Sequence, residues 1–436
     1  MSNTYLTRTL GTPTLATKAT CSMWFKLSEP SGQNTLIASD GNAAAFYLHS
    51  NSTLRIYNVD GSALTTNRVF RDTSAWYHLV VAIDTTQGTA SNRVKVYING
   101  IQETSFSAAS YPNQNSASAL GNATAHFVGA NTGAANYFNG SMSHIHLIDG
   151  TAYDATTFGQ YDANGVWKIK TSPSVTYGTN GFFILKDGNS VTDQSPNTNN
   201  FTVGGGTLTK TEDNPSNVFD TLNANISQAA SVGGRDSAAR PFLEYANTVS
   251  STDVAIWTPQ MGSIPITSGK YYFEMKRAYA GSPSNHLAWV GIESTATAGT
   301  TLDGTTGTNT NAVGYYSSGS VKKSNSTQSG TFDSWQGNGD IVQVAIDLDN
   351  YYIYFGKGGV WQNSSDPTSG ATGTGGIAIL AGQSYISHCT VHRGGGSAGG
   401  SKTWLQLNYG NGYFAENAIS SAGTNASGIG IFEYDV

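Results

Sequence analysis

Two stretches of this chain spell nearly the same β-hairpin. Trp76-Tyr77-His78-Leu79-Val80-Val81-Ala82-Ile83-Asp84 turns through Thr85–Asn92 into Arg93-Val94-Lys95-Val96-Tyr97-Ile98-Asn99-Gly100. Far downstream, Asp340-Ile341-Val342-Gln343-Val344-Ala345-Ile346-Asp347 turns at Asp349-Asn350 into Tyr351-Tyr352-Ile353-Tyr354-Phe355-Gly356-Lys357. Val94, Val96 and Ile98 alternate with Lys95, Tyr97 and Asn99; Val342, Val344 and Ile346 alternate with Gln343, Ala345 and Asp347. Period-two alternation sends one set of side chains to a core and the other to an outer face. The chain therefore predicts two β-sandwich modules.

Its length of 436 residues suits two such cores better than one. Charged residues make up only 11%, against roughly 25% in ordinary globular proteins. The 51 glycines, with abundant Ser, Thr and Asn, fit many short strands joined by turns. The class is all-β. A net charge of −6, with no basic run longer than Lys322-Lys323, leaves no stripe to displace counterions from phosphates, which argues against nucleic acid. No apolar run is long enough for a membrane helix, and the start, Met1-Ser2-Asn3-Thr4-Tyr5, has no secretory h-region. Cys21 and Cys389 fall in different modules and read as two free, buried thiols.

The first module is expected over residues 1–205, a linker over 206–240, and the second module over 241–436. Asp213-Asn214-Pro215 and Gly233-Gly234-Arg235-Asp236 are the linker's breakers. Ser39-Asp40-Gly41-Asn42 and Val59-Asp60-Gly61-Ser62 read as turns between strands, and the glycine-rich segments Ser369–Gly376 and Gly394–Ser401 as mobile loops.

Phe138-Asn139-Gly140-Ser141-Met142, His146-Leu147-Ile148-Asp149-Gly150, Gly165-Val166-Trp167 and Asn199-Asn200-Phe201 follow the first hairpin in order. With that hairpin they make the first module resemble the laminin-G-like, concanavalin A-like jelly rolls, in particular those of tailed-phage virion proteins of marine type. The second module resembles SPRY domains, through Gly269-Lys270-Tyr271-Tyr272-Phe273-Glu274, Trp289-Val290-Gly291-Ile292, Val313-Gly314-Tyr315-Tyr316, the second hairpin and Leu407-Asn408-Tyr409-Gly410. The resemblance implies a virion protein, assembled in a host cytoplasm and released by lysis, with other virion proteins as partners. It also implies a homo-oligomer, with a trimer favoured, and contact with host-surface polysaccharide. A protein released by lysis needs neither a signal nor disulfides, which agrees with both observations above.

Candidate chemistry is sparse. Glycoside hydrolysis needs two carboxylates across one bond, and the only Glu-x-Asp is Glu433-Tyr434-Asp435. The expectation is a non-enzyme. His144-Ile145-His146 is the nearest thing to a metal pair, since residues i and i+2 of a strand share a face. The preferred reading has the two imidazoles flanking an inward Ile145 on an outer sandwich face. Asp347-Leu348-Asp349 offers clustered oxygens of the kind calcium takes, but reads better as a hairpin cap; Asp149-Gly150 and Asp187-Gly188-Asn189 likewise read as turns. No cofactor is expected. Trp24, Trp76, Trp289 and Trp404 are assigned to the core, while Tyr111, Tyr137, Trp335 and Trp361, in turn-rich segments, are the candidate ligand-stacking aromatics. The reading is a tail, fibre or head-appendage component that mediates assembly and glycan attachment. A capsid decoration protein and a polysaccharide-degrading enzyme are the alternatives.

Overall fold

The computed structural model describes residues 3–28, 32–40, 44–57, 61–163, 165–186, 190–223, 242–244, 247–250, 257–280, 287–296, 311–324, 326–392, 402–425 and 427–435. Most of the second half of the expected linker, the loop Gly394–Ser401 and parts of the turns at 41–43, 58–60 and 187–189 lie outside the described residues. Chain contacts divide the molecule into two units, Met1–Val218 and Phe219–Val436. Each is a β-sandwich, and among the described residues there is no α-helix.

In the first unit a six-stranded antiparallel sheet runs Phe182–Ile184, Gly140–Asp149, Lys18–Leu27, Tyr77–Asp84, Val94–Ile98, Ile101–Glu103. It faces an eight-stranded sheet ordered Phe106–Ser110, Ala63–Val69, Thr53–Tyr57, Ala45–Leu48, Asn34–Ser39, Ala125–Val128, Tyr5–Thr9, Thr202–Gly205. Alternation decides the core. Cys21, Met23, Phe25 and Leu27, then Leu79, Val81 and Ile83, then Val94, Val96 and Ile98 all point inward onto Leu36, Phe46, Leu54, Ile56 and Leu64. The other face of the six-stranded sheet is not open to water. Phe158, Tyr153, Trp167, Val175 and Tyr177 close over Val80 and Ile148 as a second, smaller apolar layer.

The second unit repeats the plan. One sheet runs Phe242–Glu244, Thr248–Ser250, Lys402–Asn408, Lys270–Ala280, Ile341–Asp347, Tyr352–Lys357, Val360–Trp361. The other runs Trp257–Met261, Tyr385–His392, Leu287–Ser294, Ala312–Tyr316, Ser320–Lys323, Ser326–Thr327. Phe273, Met275, Val342, Val344 and Ile346 meet Val290, Ile292, Tyr315, Cys389 and Val391 between them. Both cysteines are free and buried.

The two hairpins share more than their alternation. In each, the strand beside the first hairpin strand begins with a lysine registered against the aspartate that ends it: Lys18 opposite Asp84 and Lys270 opposite Asp347. The Nζ–Oδ2 distances are 3.2 and 3.5 Å. Both aspartates also gather turn donors, Thr86 and Gln87 in one case, Asp349 and Asn350 in the other.

Three expectations change here. Trp24 and Trp289 are buried, but on sheet faces turned away from the sandwich core, and Trp404 is only half-buried. Ser369–Gly376 is packed rather than free: Gly373 lies on the ring of Tyr352 and Gly376 on that of Tyr354, with no room for a Cβ at either. Within 206–240, Asp213 is anchored to the first unit by Lys26 Nζ at 2.7 Å and by the Trp76 indole N–H at 2.9 Å.

Candidate functional site

The four aromatics singled out from sequence do not form one site. Trp335 is fully buried, its ring 6.1 Å from that of Tyr315 in the second core. Its turn-like surroundings suggest a surface loop, but the backbone N–H of Trp335 donates to Ser317 and tucks the indole between the sheets. It offers no ring to a ligand. Tyr111 is half-buried against the first core. Tyr137 is half-buried, 6.2 Å from Tyr5. Trp361 is half-buried and edge-on to Tyr272 at 6.3 Å.

The histidine pair fails for a different reason. His144 has φ +48°, and the pairing of its strand with Lys18–Leu27 slips between Ser143 and His146. That is a β-bulge, in which one residue is added and the i, i+2 rule is interrupted. Ser143 registers with Trp24 and His146 with Ser22 on the outer face, while Ile145 enters the core and His144 is the inserted residue. The face is also covered: His146 is buried, stacks on Phe183 at 3.9 Å and bonds the Tyr177 hydroxyl at 2.9 Å. Burial pushes its pKa well below the usual histidine value. Among the described residues no three His, Cys, Asp or Glu side chains gather for a metal.

The carboxylates proposed as turn or calcium groups are engaged with backbone. Asp347 accepts from the Asp349 and Asn350 N–H groups, while Asp349 caps no turn and instead accepts from Gly269 at 2.8 Å. Asp149 accepts from Thr14, Leu15 and Asn180. One buried trio looks like a nucleophile, base and acid: Thr390 Oγ1 is 3.2 Å from His388 Nε2, and His388 Nδ1 is 2.8 Å from Glu293 Oε2. Thr390 is fully buried, and the space beside neighbouring Trp289 is about 10 Å³, smaller than a substrate.

An open groove of about 620 Å³ lies in the first unit, lined by Thr12, Pro13, Ala16, Asp40, Ala119, Asn122, Ala123 and Thr124. Its walls are braced from below. Asn180 donates to the carbonyls of Gly11 and Gly121 and accepts from Gly11 N–H, tying the two walls together. His126, buried, accepts the Gly121 N–H at Nε2, so its proton sits on Nδ1 and is donated to the Thr124 carbonyl at 3.0 Å. Burial lowers the His126 pKa, which keeps this clamp neutral. Asp149 fixes the wall around Thr14 and Leu15. The groove itself presents one carboxylate, one primary amide and two hydroxyls between methyl and proline surfaces. That set can bond several hydroxyls of a polar, uncharged ligand.

Residues 2–155 match the family model described as the concanavalin A-like lectin/glucanases superfamily. Every groove residue falls inside that span. Solved structures with which the chain aligns include the SPRY domain of human HERC1, at 16% identity, covering 38% of this chain and 91% of that one, TM-score 0.28. A carbohydrate-binding protein of Bacteroides ovatus aligns at 13% identity, covering 48% of this chain and 58% of that one, TM-score 0.33. A search of curated proteins returns no match.

None of the groove residues stood out in the sequence. Asp40 lies in Ser39-Asp40-Gly41-Asn42, which reads as a spacer, and Asn122 in Gly121-Asn122-Ala123, which reads as nothing in particular. The available signal was the pairing of a turn carboxylate with a distant Asn, which only the fold brings together.

Proposed function

We propose that this protein is a non-enzymatic structural component of a tailed-phage virion, and that its first unit holds surface glycan in the groove between Asp40 and Asn122. The groove carries the reading. It lies within the lectin/glucanase-like span, it is lined by hydroxyl- and amide-bearing side chains, and it holds a single carboxylate. Hydrolysis of a glycoside needs a second carboxylate across the bond, so this site suits holding a sugar rather than cutting one. Its shallowness makes each contact weak, and repetition in a symmetric assembly, a trimer in the leading arrangement, multiplies weak contacts into useful avidity.

The test is retention of the purified chain on immobilised host-envelope polysaccharide. Asp40→Ala with Asn122→Ala should remove retention while leaving the unfolding transition in place. Equal retention of wild type and double variant would sink the groove assignment. Release of reducing sugar by the wild type would overturn the non-enzymatic reading, and labelling of the particle would show whether the protein sits on tail, fibre or capsid.

A further inference from the structure

We propose that the outer face of the first unit's eight-stranded sheet binds a carboxylate-bearing sugar, a uronic acid unit of an acidic polysaccharide, with the Arg55 guanidinium as its clamp. Cross-strand register builds the face. Thr35 lies opposite Tyr47, Tyr47 opposite Arg55, and Arg55 opposite Thr65, so four neighbouring strands send these side chains to one side. It is the side away from the core, because Phe46, Ile56 and Leu64, the next residues along the same strands, point inward. The six-stranded sheet hides its outer face under the Trp167 layer. Here Tyr47, Arg55, Tyr57 and Thr65 are only half-buried and stay within reach of solvent.

Arg55 is a cation with no counter-charge. Its guanidinium sits 5.8 Å from the centre of the Tyr57 ring. Among the described residues no carboxylate lies within ion-pair distance of it. Its Nε is buried with no hydrogen-bond partner, and so is the hydroxyl of Thr35, a fully buried side chain two strands away in the same row. Arg68, on the strand beside it, is by contrast paired with Glu103 at 2.8 Å. His49 meets Tyr47 edge-on at 5.0 Å. Burial, and then the Arg55 charge, hold its pKa below the ordinary value, so at neutral pH the row carries a single positive charge.

That set selects the ligand. The planar fork of a guanidinium matches a carboxylate through two parallel bonds. The rings of Tyr47 and Tyr57 can lie against the apolar face of a sugar, and the Thr65 hydroxyl can bond its hydroxyls. One positive charge in an acidic chain is too little for a polyphosphate backbone, which calls for a basic stripe. None of these residues lines the groove between Asp40 and Asn122, so the face is a second site and stands apart from the groove reading.

Isothermal titration of the full chain with oligogalacturonate and oligomannuronate tests this, beside the same oligomers with their carboxyls reduced to alcohols and beside inorganic polyphosphate. Wild type should bind at least one uronate and lose about tenfold or more in affinity for its reduced form, a comparison that needs no variant. Arg55→Gln should lose that preference with unchanged thermal unfolding, and Arg55→Lys should recover part of it. Asp40→Ala with Asn122→Ala should keep it; its loss there would put the uronate in the groove and overturn the proposal. No binding of either uronate, equal affinity for charged and reduced oligomers, uronate binding by Arg55→Gln equal to wild type, or tighter binding of polyphosphate would each overturn it as well.

Discussion

Trp167 donates its indole N–H to Nδ1 of His78 at 2.9 Å, and this one bond fixes the protonation of a buried imidazole. Indole nitrogen is a donor only, so Nδ1 must be bare. The single proton of neutral His78 is then on Nε2 and is donated to Ser22 Oγ, also at 2.9 Å. Trp24 stacks on the other side of the ring at 4.5 Å. The trio joins the central strands of the six-stranded sheet to the layer that covers it.

Replacing Trp167 with Phe should therefore destabilise the first unit beyond the loss of ring area. Nδ1 would be left buried and unpaired, at a cost of about 1–3 kcal/mol. Urea unfolding of the wild type and Trp167→Phe checks it; equal midpoints would show that the bond contributes nothing net.

The same imidazole makes stability depend on acid. Burial pushes His78 down to about 3, whereas an unfolded histidine titrates near 6.5. Between those values the unfolded chain binds the extra proton, so stability falls as pH drops from about 6.5 toward 3, by up to on the order of 5 kcal/mol for this group. His126 and His146 are lowered too and act in the same direction. The unfolding temperature of the first unit should drop steadily below about pH 6, and the His78 ring resonances should not titrate between about pH 7 and pH 5. A ring that titrates near its ordinary value would contradict the buried trio.

Gly100 and Gly159 tell how tightly that covering layer is seated. A Cβ at either would overlap the Trp167 ring, and Gly100 also has φ +81°. Gly159→Ala should cost about 1–3 kcal/mol from overpacking. Gly100→Ala should cost roughly 1 kcal/mol more, for the left-handed backbone. Thermal unfolding of both variants measures the order; a costlier Gly159→Ala would mean that packing outweighs backbone strain here.

What could be read beforehand follows from this layering. Central strands such as Tyr77–Asp84 and Ile341–Asp347 bury one face in the core, and their alternation is plain in the sequence. Edge and near-edge strands such as Ala63–Val69, Phe106–Ser110 and Ser320–Lys323 bury at most two side chains each, so their alternation is too short to read in the sequence. Trp257–Met261 contains Pro259, which argues against a central strand, and it is indeed an edge. The covering layer explains why outward residues such as Trp24 and His146 are buried: a strand pattern tells inward from outward, not whether something lies on the outward side. The bulge at His144 is a one-residue insertion with no Gly or Pro to announce it. The groove escaped notice because Thr12, Asp40 and Asn122 come from three separate loops, each ordinary alone.

Asn180 is the brace of that groove. It bonds Gly11 and Gly121 through both ends of its amide. Asn180→Ala would leave buried backbone groups unpaired, costing about 2–4 kcal/mol, and would free the two walls. Polysaccharide retention should fall even at temperatures where the variant is fully folded. Unchanged retention in a folded variant would separate the groove's shape from binding.

Asp220 yields the last prediction, and its sign is opposite to that of His78. It is half-buried, and desolvation pushes its carboxyl up to about 6 in spite of donors from Thr221, Ser263, Ile264 and Ser387. The unfolded aspartate titrates near 3.9, so between those values the folded state holds the proton more tightly. Stability contributed by this group is complete below about pH 4 and is lost as pH rises through about 6, roughly 3 kcal/mol in all. The three backbone donors converge on Oδ1, and among the described residues only the Ser387 hydroxyl, itself 2.7 Å from the Tyr409 hydroxyl, meets Oδ2. An asparagine can keep the three bonds at Oδ1 and donate to Ser387, whose hydroxyl turns to Tyr409. Asp220→Asn should then raise the stability of the second unit above pH 6 and flatten its pH dependence between about 4 and 6. Asp220→Ala should be destabilising at every pH, because it strands the same donors. A pH profile for Asp220→Asn parallel to that of wild type would mean that this carboxyl keeps its ordinary acidity in the fold.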